Sequence, residues 1–296
     1  MRAEDIFQVL CARDALTVQP PSFQFSVGSL VTNTGQYERM LRSFQRFGFD
    51  SQHAEFMYVD NRNGNQFDAY GGLNLLLARA RGQYVILCHQ DVELIGDGRR
   101  ELQERLTELA NIDPNWGLAG NAGGARIGVL PRRISDPHGS DQFIGELPAE
   151  VESLDENFIV VRRDAMLGFS RDLRGFHLYG TDLCQQARLR GWTSWVINFH
   201  LLHHSAGVAG QTYFDCLSAF EEKYSKRRLG NEHRVQTSCA TALVSGSRLH
   251  LALRRFSRSS AGLALNAFVE SVSRKCRRLP NRIGKILKPG TDRGND

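Results

Sequence analysis

Asp60-Asn61 follows Met57-Tyr58-Val59, His89-Gln90-Asp91 follows Tyr84-Val85-Ile86-Leu87-Cys88, and His203-His204 comes shortly after the run 195–199. Residues that close an apolar strand matter because open parallel sheets bind their ligands beyond the carboxyl ends of the strands. A carboxylate beside an amide, as in Asp60-Asn61, can hydrogen-bond a ribose or a base. The same pair, with Asn63 and Gly64 close by, also suits a plain turn. The Asp91 carboxylate is placed to hold a divalent cation against phosphate oxygens. His203 adds an imidazole, a common metal ligand, with His204 and His200 as alternatives.

These clusters converge only if the chain builds a parallel sheet, and the surrounding pattern predicts one. Phe23, Phe25, Val27, Ser29 and Val31 alternate with the period of a strand, and Tyr37, Met40, Leu41, Phe44 and Phe47 follow at helical spacing. A short strand over 55–59 precedes a helical stripe of Leu73, Leu76, Leu77 and Ala80. The run 84–88 is apolar on both faces, as a central strand should be, and Leu102, Leu106 and Leu109 mark another helix. This alternation predicts βαβ units in a doubly wound α/β domain.

The stretch 117–147, rich in Gly, Pro, Arg and Ser, predicts long loops over a site. Within it Gly120-Asn121-Ala122-Gly123-Gly124 lacks the Gly-x-Gly-x-x-Gly context of a dinucleotide loop and reads as a flexible connection. A strand is expected over 158–161 and another over 195–199. Between them Thr181 suits an N-cap and Gly191 a C′ position, so a helix is expected from about 182 to 190. Asp182 in its first turn suits the helix dipole as well as it suits chemistry.

The chain has 296 residues, 41% hydrophobic and 23% charged, which excludes a disordered or fibrous protein. No apolar run approaches the roughly 18 to 20 residues that span a bilayer, and the start Met1-Arg2-Ala3-Glu4-Asp5 is acidic. Six cysteines lie singly, with no Cys-x-x-Cys pair, and read as free thiols in a reducing, cytoplasmic compartment.

Charge is divided along the chain. Residues 1–222 carry 20 basic against 28 acidic side chains, or −8, whereas 223–296 carry 17 against 4, or +13. Leu249, Leu253 and Phe256, then Leu265, Phe268, Val272 and Cys276, lie on helical faces beside Arg254, Arg255, Arg274, Lys275, Arg277 and Arg278. The expected organisation is an N-terminal extension over 1–21, a main domain over 22–222 and a basic helical extension over 223–296. That extension reads either as a solvated cap or as a peripheral attachment to an anionic membrane surface. Nucleic acid is the weaker partner, because aromatics are interleaved with the basic residues only at Phe256 and Phe268.

From about Phe23 to Gly207 the sequence resembles the GT-A-fold glycosyltransferases of family 2, which transfer a sugar from a nucleotide diphosphate donor. Val31-Thr32-Asn33 is similar to the turn after that family's first strand, and Asp60 to the acid that contacts base or ribose. The segment 74–91 carries Asn74, Ala80-Arg81-Gly82, an apolar strand and, as His89-Gln90-Asp91, the place of the metal-binding Asp-x-Asp. Glu152-Ser153-Leu154-Asp155 resembles the acceptor-side strand, and 176–184 with His203 the Asp-bearing helix start and terminal His. The resemblance implies an α/β GT-A domain, donor contacts at Thr32, Asn33, Asp60, Asn61, Asn74 and Arg81, and Mn²⁺ or Mg²⁺ at Asp91 and His203. It also implies a single displacement with inversion. Two positions depart from the family: His89 replaces the first Asp, and Gly180 stands where many relatives carry an acid.

Displacing a nucleoside diphosphate from a sugar needs charge stabilisation of the leaving group and a carboxylate to take the acceptor's proton. Asp182 or Asp155 suits the second role, with a glycan or lipid-linked hydroxyl as acceptor. The rival reading, for which His89 and Gly180 speak, is a non-catalytic nucleotide-sugar or glycan-binding module on the same fold.

Overall fold

The computed structural model describes residues 21–126, 128–207, 210–228, 233–236 and 241–244. The chain divides into two compact units, Met1–Glu221 and Glu222–Asp296.

In the first unit, Phe23–Val31 (β1) pairs in parallel with both Ala54–Asp60 (β2) and Gly82–Cys88 (β3). The helices Thr34–Arg46 (α1) and Ala69–Arg79 (α2) make the crossovers, and each starts on a side-chain cap. Asn33 accepts the N–H of Gln36, and Asp68 that of Gly71, which satisfies donors a helix start otherwise leaves free. Next come Val92–Leu94 (β4), Arg99–Ile112 (α3), Trp116–Gly120 (β5), Gly123–Gly124 (β6), Arg132–Asp136 (β7) and Gly139–Ile144 (β8). Ala149–Glu150 (β9), Ser153–Leu154 (β10), Phe158–Arg162 (β11), Tyr179–Leu189 (α4), Thr193–Val196 (β12), Leu201–His203 (β13) and Gln211–Arg228 (α5) follow.

Seven strands form the main sheet in the order β2-β1-β3-β11-β5-β12-β9. β11 runs antiparallel to β3 and to β5, while β12 is parallel to β5. The carboxyl ends of β1, β2, β3, β5 and β12 therefore share one side of the sheet. Alternation along β3 divides the core: Tyr84, Ile86 and Cys88 face α1 and α3, whereas Val85 and Leu87 face α2 and α4. The expected α/β sheet domain is present, with one antiparallel strand inside an otherwise parallel centre.

A second sheet, ordered β4-β13-β7-β8, holds the elements that flank the site. The expectation of loops over 117–147 is corrected, since β7 and β8 of this sheet lie there, as does most of β5 of the main sheet. The five residues of β5 are buried, and its glycines admit neighbours rather than loosen the chain. A Cβ on Gly117 would lie 2.9 Å from the Trp192 side chain, and one on Gly120 would lie 2.9 Å from that of Leu154. Gly123 likewise belongs to a strand, where a Cβ would lie 2.3 Å from the Ser153 carbonyl oxygen. The expected flexible loop at 120–124 is in part this close backbone pairing.

Two boundaries also move. α4 begins at Tyr179 after Leu178, which adopts a left-handed φ of 63°, so Thr181 lies inside the helix and does not cap it. β12 ends at Val196, short of the expected 199. Of the second unit the structure describes the end of α5 and an antiparallel hairpin, His233–Gln236 (β14) with Thr241–Val244 (β15). The helical faces expected around Leu249 to Cys276 lie outside the described residues, as do residues 1–20. Among the described residues no helix is long and apolar enough to cross a membrane.

Candidate metal centre

β3 ends at Cys88, and the chain turns through His89 and Asp91 into β4. Antiparallel pairing of β4 with β13 sets Val92 opposite His203, which brings the late imidazole onto the turn. The turn is held by its backbone: the His89 N–H donates to the Asn157 carbonyl at 3.0 Å, and the His204 N–H to that of Asp91 at 3.1 Å. His89, Asp91 and His203 then each offer a ligand atom, all within 4.8 Å of one another. Asp91 Oδ1 lies 3.5 Å from His203 Nε2, which in turn lies 3.2 Å from His89 Nδ1.

The electrostatics of this cluster favour a ligating state. Burial works against charge on Asp91, which is 7% exposed. Hydrogen bonds from His203 and Ser205, with the charges of both imidazoles, outweigh it and hold the carboxyl far below the usual carboxylate range. Burial, then the neighbouring His203, pushes the His89 imidazole toward its neutral form. The Tyr179 hydroxyl donates to the Glu156 carbonyl at 3.2 Å and meets His89 Nε2 at 2.8 Å. The Tyr179 contact fixes the His89 ring so that its Nδ1 faces the cluster. Two imidazoles and a carboxylate fit a divalent first-row ion better than a purely oxygen-seeking one.

Asp91 and His89 line a cavity of about 300 Å³ at the carboxyl ends of β1 and β3, with Thr32, Asn61, Gln90 and Glu156. Gln90 ties the cavity to the turn after β1: its Oε1 accepts the N–H groups of Thr32 and Asn33, both at 2.8 Å, and its amide donates to the Thr32 hydroxyl.

Of the residues expected at the site, Asp91, Thr32 and Asn61 line this cavity, His203 joins Asp91 in the cluster beside it, and the others do neither. Asn61, 2% exposed, lines the cavity but spends its amide on the Phe67 backbone, closing the loop between β2 and α2. Asn33 caps α1. Both carboxylate oxygens of Asp60 are taken by Arg62, whose hydrogen bonds hold the carboxyl down to about 2.

Asn74 exchanges two hydrogen bonds with the Phe169 backbone and lines a different cavity. Arg81 pairs with Glu55 at the opening of β3, about 20 Å of strand away from Asp91. Asp182 is 0% exposed and accepts from the Ser170 N–H at 2.8 Å and hydroxyl at 2.7 Å, so it stands inside the protein and not in the cavity. Asp155 is exposed and accepts from the Asn157 N–H at 3.0 Å and amide at 2.5 Å.

Three site residues were not foreseen. His89 is a third potential ligand at a position read as the loss of one. Tyr179 orients it across 90 residues of sequence. Glu156 lines the cavity although it follows a short edge strand, where no apolar run marks a strand end.

Fold and centre together define an α/β domain with a nitrogen-rich metal-ligand cluster at its strand-end cavity. No family model matches the chain. It is 40% identical over 211 residues to the protein described as "ATP synthase subunits region ORF 6" of Fuscovulum blasticum, across 69% of this chain and 85% of that protein, and it belongs to that protein's family.

Among solved structures it is similar to S. aureus TarS 1–349, with 15% identity and a TM-score of 0.43 over 62% of this chain and 60% of that one, under two thirds of its length. The TarS complex with UDP-GlcNAc matches at 14% identity and a TM-score of 0.48, covering 80% and 74% of the two chains. The mannosyltransferase PcManGT of Pyrobaculum calidifontis, in complex with GDP-Man and Mn²⁺, matches at 14% and 0.44, covering 71% and 67%. These likenesses are loose, and the fold rests on the chain's own sheet order.

Proposed function

We propose that this protein is a glycosyltransferase that moves a sugar from a nucleotide diphosphate donor to an acceptor hydroxyl. The observation that carries the reading is the gathering of His89, Asp91 and His203 into one cluster, with His89 and Asp91 lining the strand-end cavity. His89, Asp91 and His203 would hold a divalent cation, which supplies charge neutralisation for the departing diphosphate. Thr32, pinned by Gln90, forms the wall beside it, and Asn61 keeps the loop after β2 folded back. Inversion, which the sequence resemblance supports, and a glycan or lipid-linked acceptor complete the reading.

The test is calorimetric titration with UDP and with GDP, with and without Mn²⁺, followed by nucleotide release from UDP-GlcNAc and GDP-mannose. Binding strengthened by Mn²⁺ and catalytic release are the expected results. Failure of both nucleotides to bind in the presence of Mn²⁺ would overturn the reading.

A binding module without turnover is favoured by one set of facts. Position 180 has no room for an acid, since a Cβ there would lie 2.4 Å from the Leu154 carbonyl oxygen, and Asp182 is committed to Ser170. Tight nucleotide-sugar binding without release in any acceptor mixture is the outcome that reading requires.

A further inference from the structure

With Gly180 bare and Asp182 buried, the cavity has no proton acceptor at the places where sequence pointed. Glu156 stands instead where two cavities meet. It lines the 300 Å³ cavity of the metal-ligand cluster and a second cavity of about 270 Å³, whose walls include Arg132, Ser153, Asp155 and Thr181. Among the described residues no other lines both.

The backbone at the start of α4, at Gly180, Leu178 and Tyr179, favours the charged form of its carboxyl. Position 180 contributes space for it: a Cβ on Gly180 would lie 3.3 Å from Glu156 Cγ. Burial, then the charge of Asp155, pushes the Glu156 carboxyl up to about 8, against the pull of the helix start. A group that titrates near neutral pH suits general-base work.

We propose that Glu156 is the general base and that the second cavity receives the acceptor, a polyhydroxylated alcohol such as the terminal ring of a glycan. This rests on the glycosyl-transfer reading above. The acceptor O–H bond breaks and its proton passes to a Glu156 carboxylate oxygen. The freed electron pair forms the bond to the anomeric carbon, while the bond from that carbon to the diphosphate oxygen breaks and its pair leaves on the nucleoside diphosphate. Arg132, Ser153, Asp155 and Thr181 offer polar partners to ring hydroxyls, and Leu154 and Leu178 offer an apolar wall. Asp155 lines only this second cavity, and Asn157 engages its Oδ1.

The experiment measures UDP and GDP affinity with Mn²⁺, and nucleotide release from UDP-GlcNAc and GDP-mannose with a mixture of glycan acceptors, for the full chain and for Glu156→Gln. Glutamine keeps an acceptor oxygen for the helix start and loses the ability to take a proton. Release is expected to fall at least about 10²-fold with nucleotide affinity unchanged, while Asp182→Asn stays within about fivefold of wild type. If Glu156→Gln does not fold, Glu156→Asp serves, since shortening the side chain displaces the carboxylate and is expected to cost roughly 10- to 100-fold in release.

Release by Glu156→Gln at the wild-type rate overturns the proposal, as does a loss of nucleotide affinity that accounts for the lost release. A wild-type chain that binds nucleotide but releases none also overturns it and favours the binding module. A wild-type chain that binds neither nucleotide overturns the glycosyl-transfer reading itself, and the inference falls with it.

Discussion

The two flanks of the strand-end cavity differ in what their polar atoms face. On the β3 and β13 flank, His89 Nδ1, Asp91 Oδ1 and His203 Nε2 point toward a common space, 3.2 and 3.5 Å apart in sequence of contact. On the β2 flank, both oxygens of Asp60 close on Arg62, and the amide of Asn61 closes on the Phe67 backbone. Both sets stand at strand ends and both look functional as residue types. Donor-acceptor pairs that satisfy each other leave nothing for a ligand, whereas ligand atoms gathered around one point leave a site.

If that contrast is right, Asp91→Ala has the largest effect. Loss of an outer-shell partner typically costs 10- to 100-fold in metal affinity, so loss of the only carboxylate in the cluster should cost at least about 10²-fold. Spin-resonance titration with Mn²⁺ measures this directly, and unchanged affinity would break the comparison.

Tyr179→Phe comes next, because it removes the oxygen that orients His89 while leaving the ring in the core. About tenfold weaker Mn²⁺ binding is expected in the same titration.

Gly180→Ala tests the close packing at this position. The Cβ would lie 2.4 Å from a backbone carbonyl, and overpacking of about 1 to 3 kcal/mol should lower the melting temperature by roughly 2 to 10 °C.

Glu156 gives a pH signature of stability. The folded chain keeps a proton on this carboxyl up to about 8, which the unfolded chain releases near 4.5. Stability from this group is therefore present below about 4.5 and is lost as pH rises toward about 8. Thermal melts of Glu156→Gln against wild type across that window should show a smaller decline in the variant.

The smallest effect belongs to Asp60→Ala. Affinity for UDP and GDP is expected to stay within about threefold, since an exposed carboxylate closed on Arg62 has little to give a ligand. A loss of tenfold or more in calorimetric affinity would restore Asp60 to the donor site.

What the sequence disclosed follows the same physical divide. Strands buried on both faces, such as 84–88 and 158–161, are continuous apolar runs and were legible as a central sheet. β5 was not, because two of its five residues are glycines that make room for Trp192 and Leu154, and that erases the period a strand is read by. Asp91 and His203 were legible as strand-end residues. Arg81 was misplaced because a motif gives spacing but not direction, and it lies before its strand, where its guanidinium meets Glu55.

His89 was read as a missing carboxylate until the β4–β13 pairing showed its ring facing His203. Glu156 carried no local signal, since its place at the start of α4 arises from contacts more than 20 residues away.

The central claim is that one divalent ion and a nucleoside diphosphate share the cavity at His89, Asp91 and His203. Mn²⁺ titrations of the wild-type chain by spin resonance, in the absence and presence of UDP or GDP, test it most directly, because coupled ligands must tighten each other by the same factor. The account predicts saturable Mn²⁺ binding that strengthens with at least one of the nucleotides, and an equal strengthening of that nucleotide by Mn²⁺. Absence of saturable Mn²⁺ binding, or Mn²⁺ binding indifferent to both nucleotides, would contradict it.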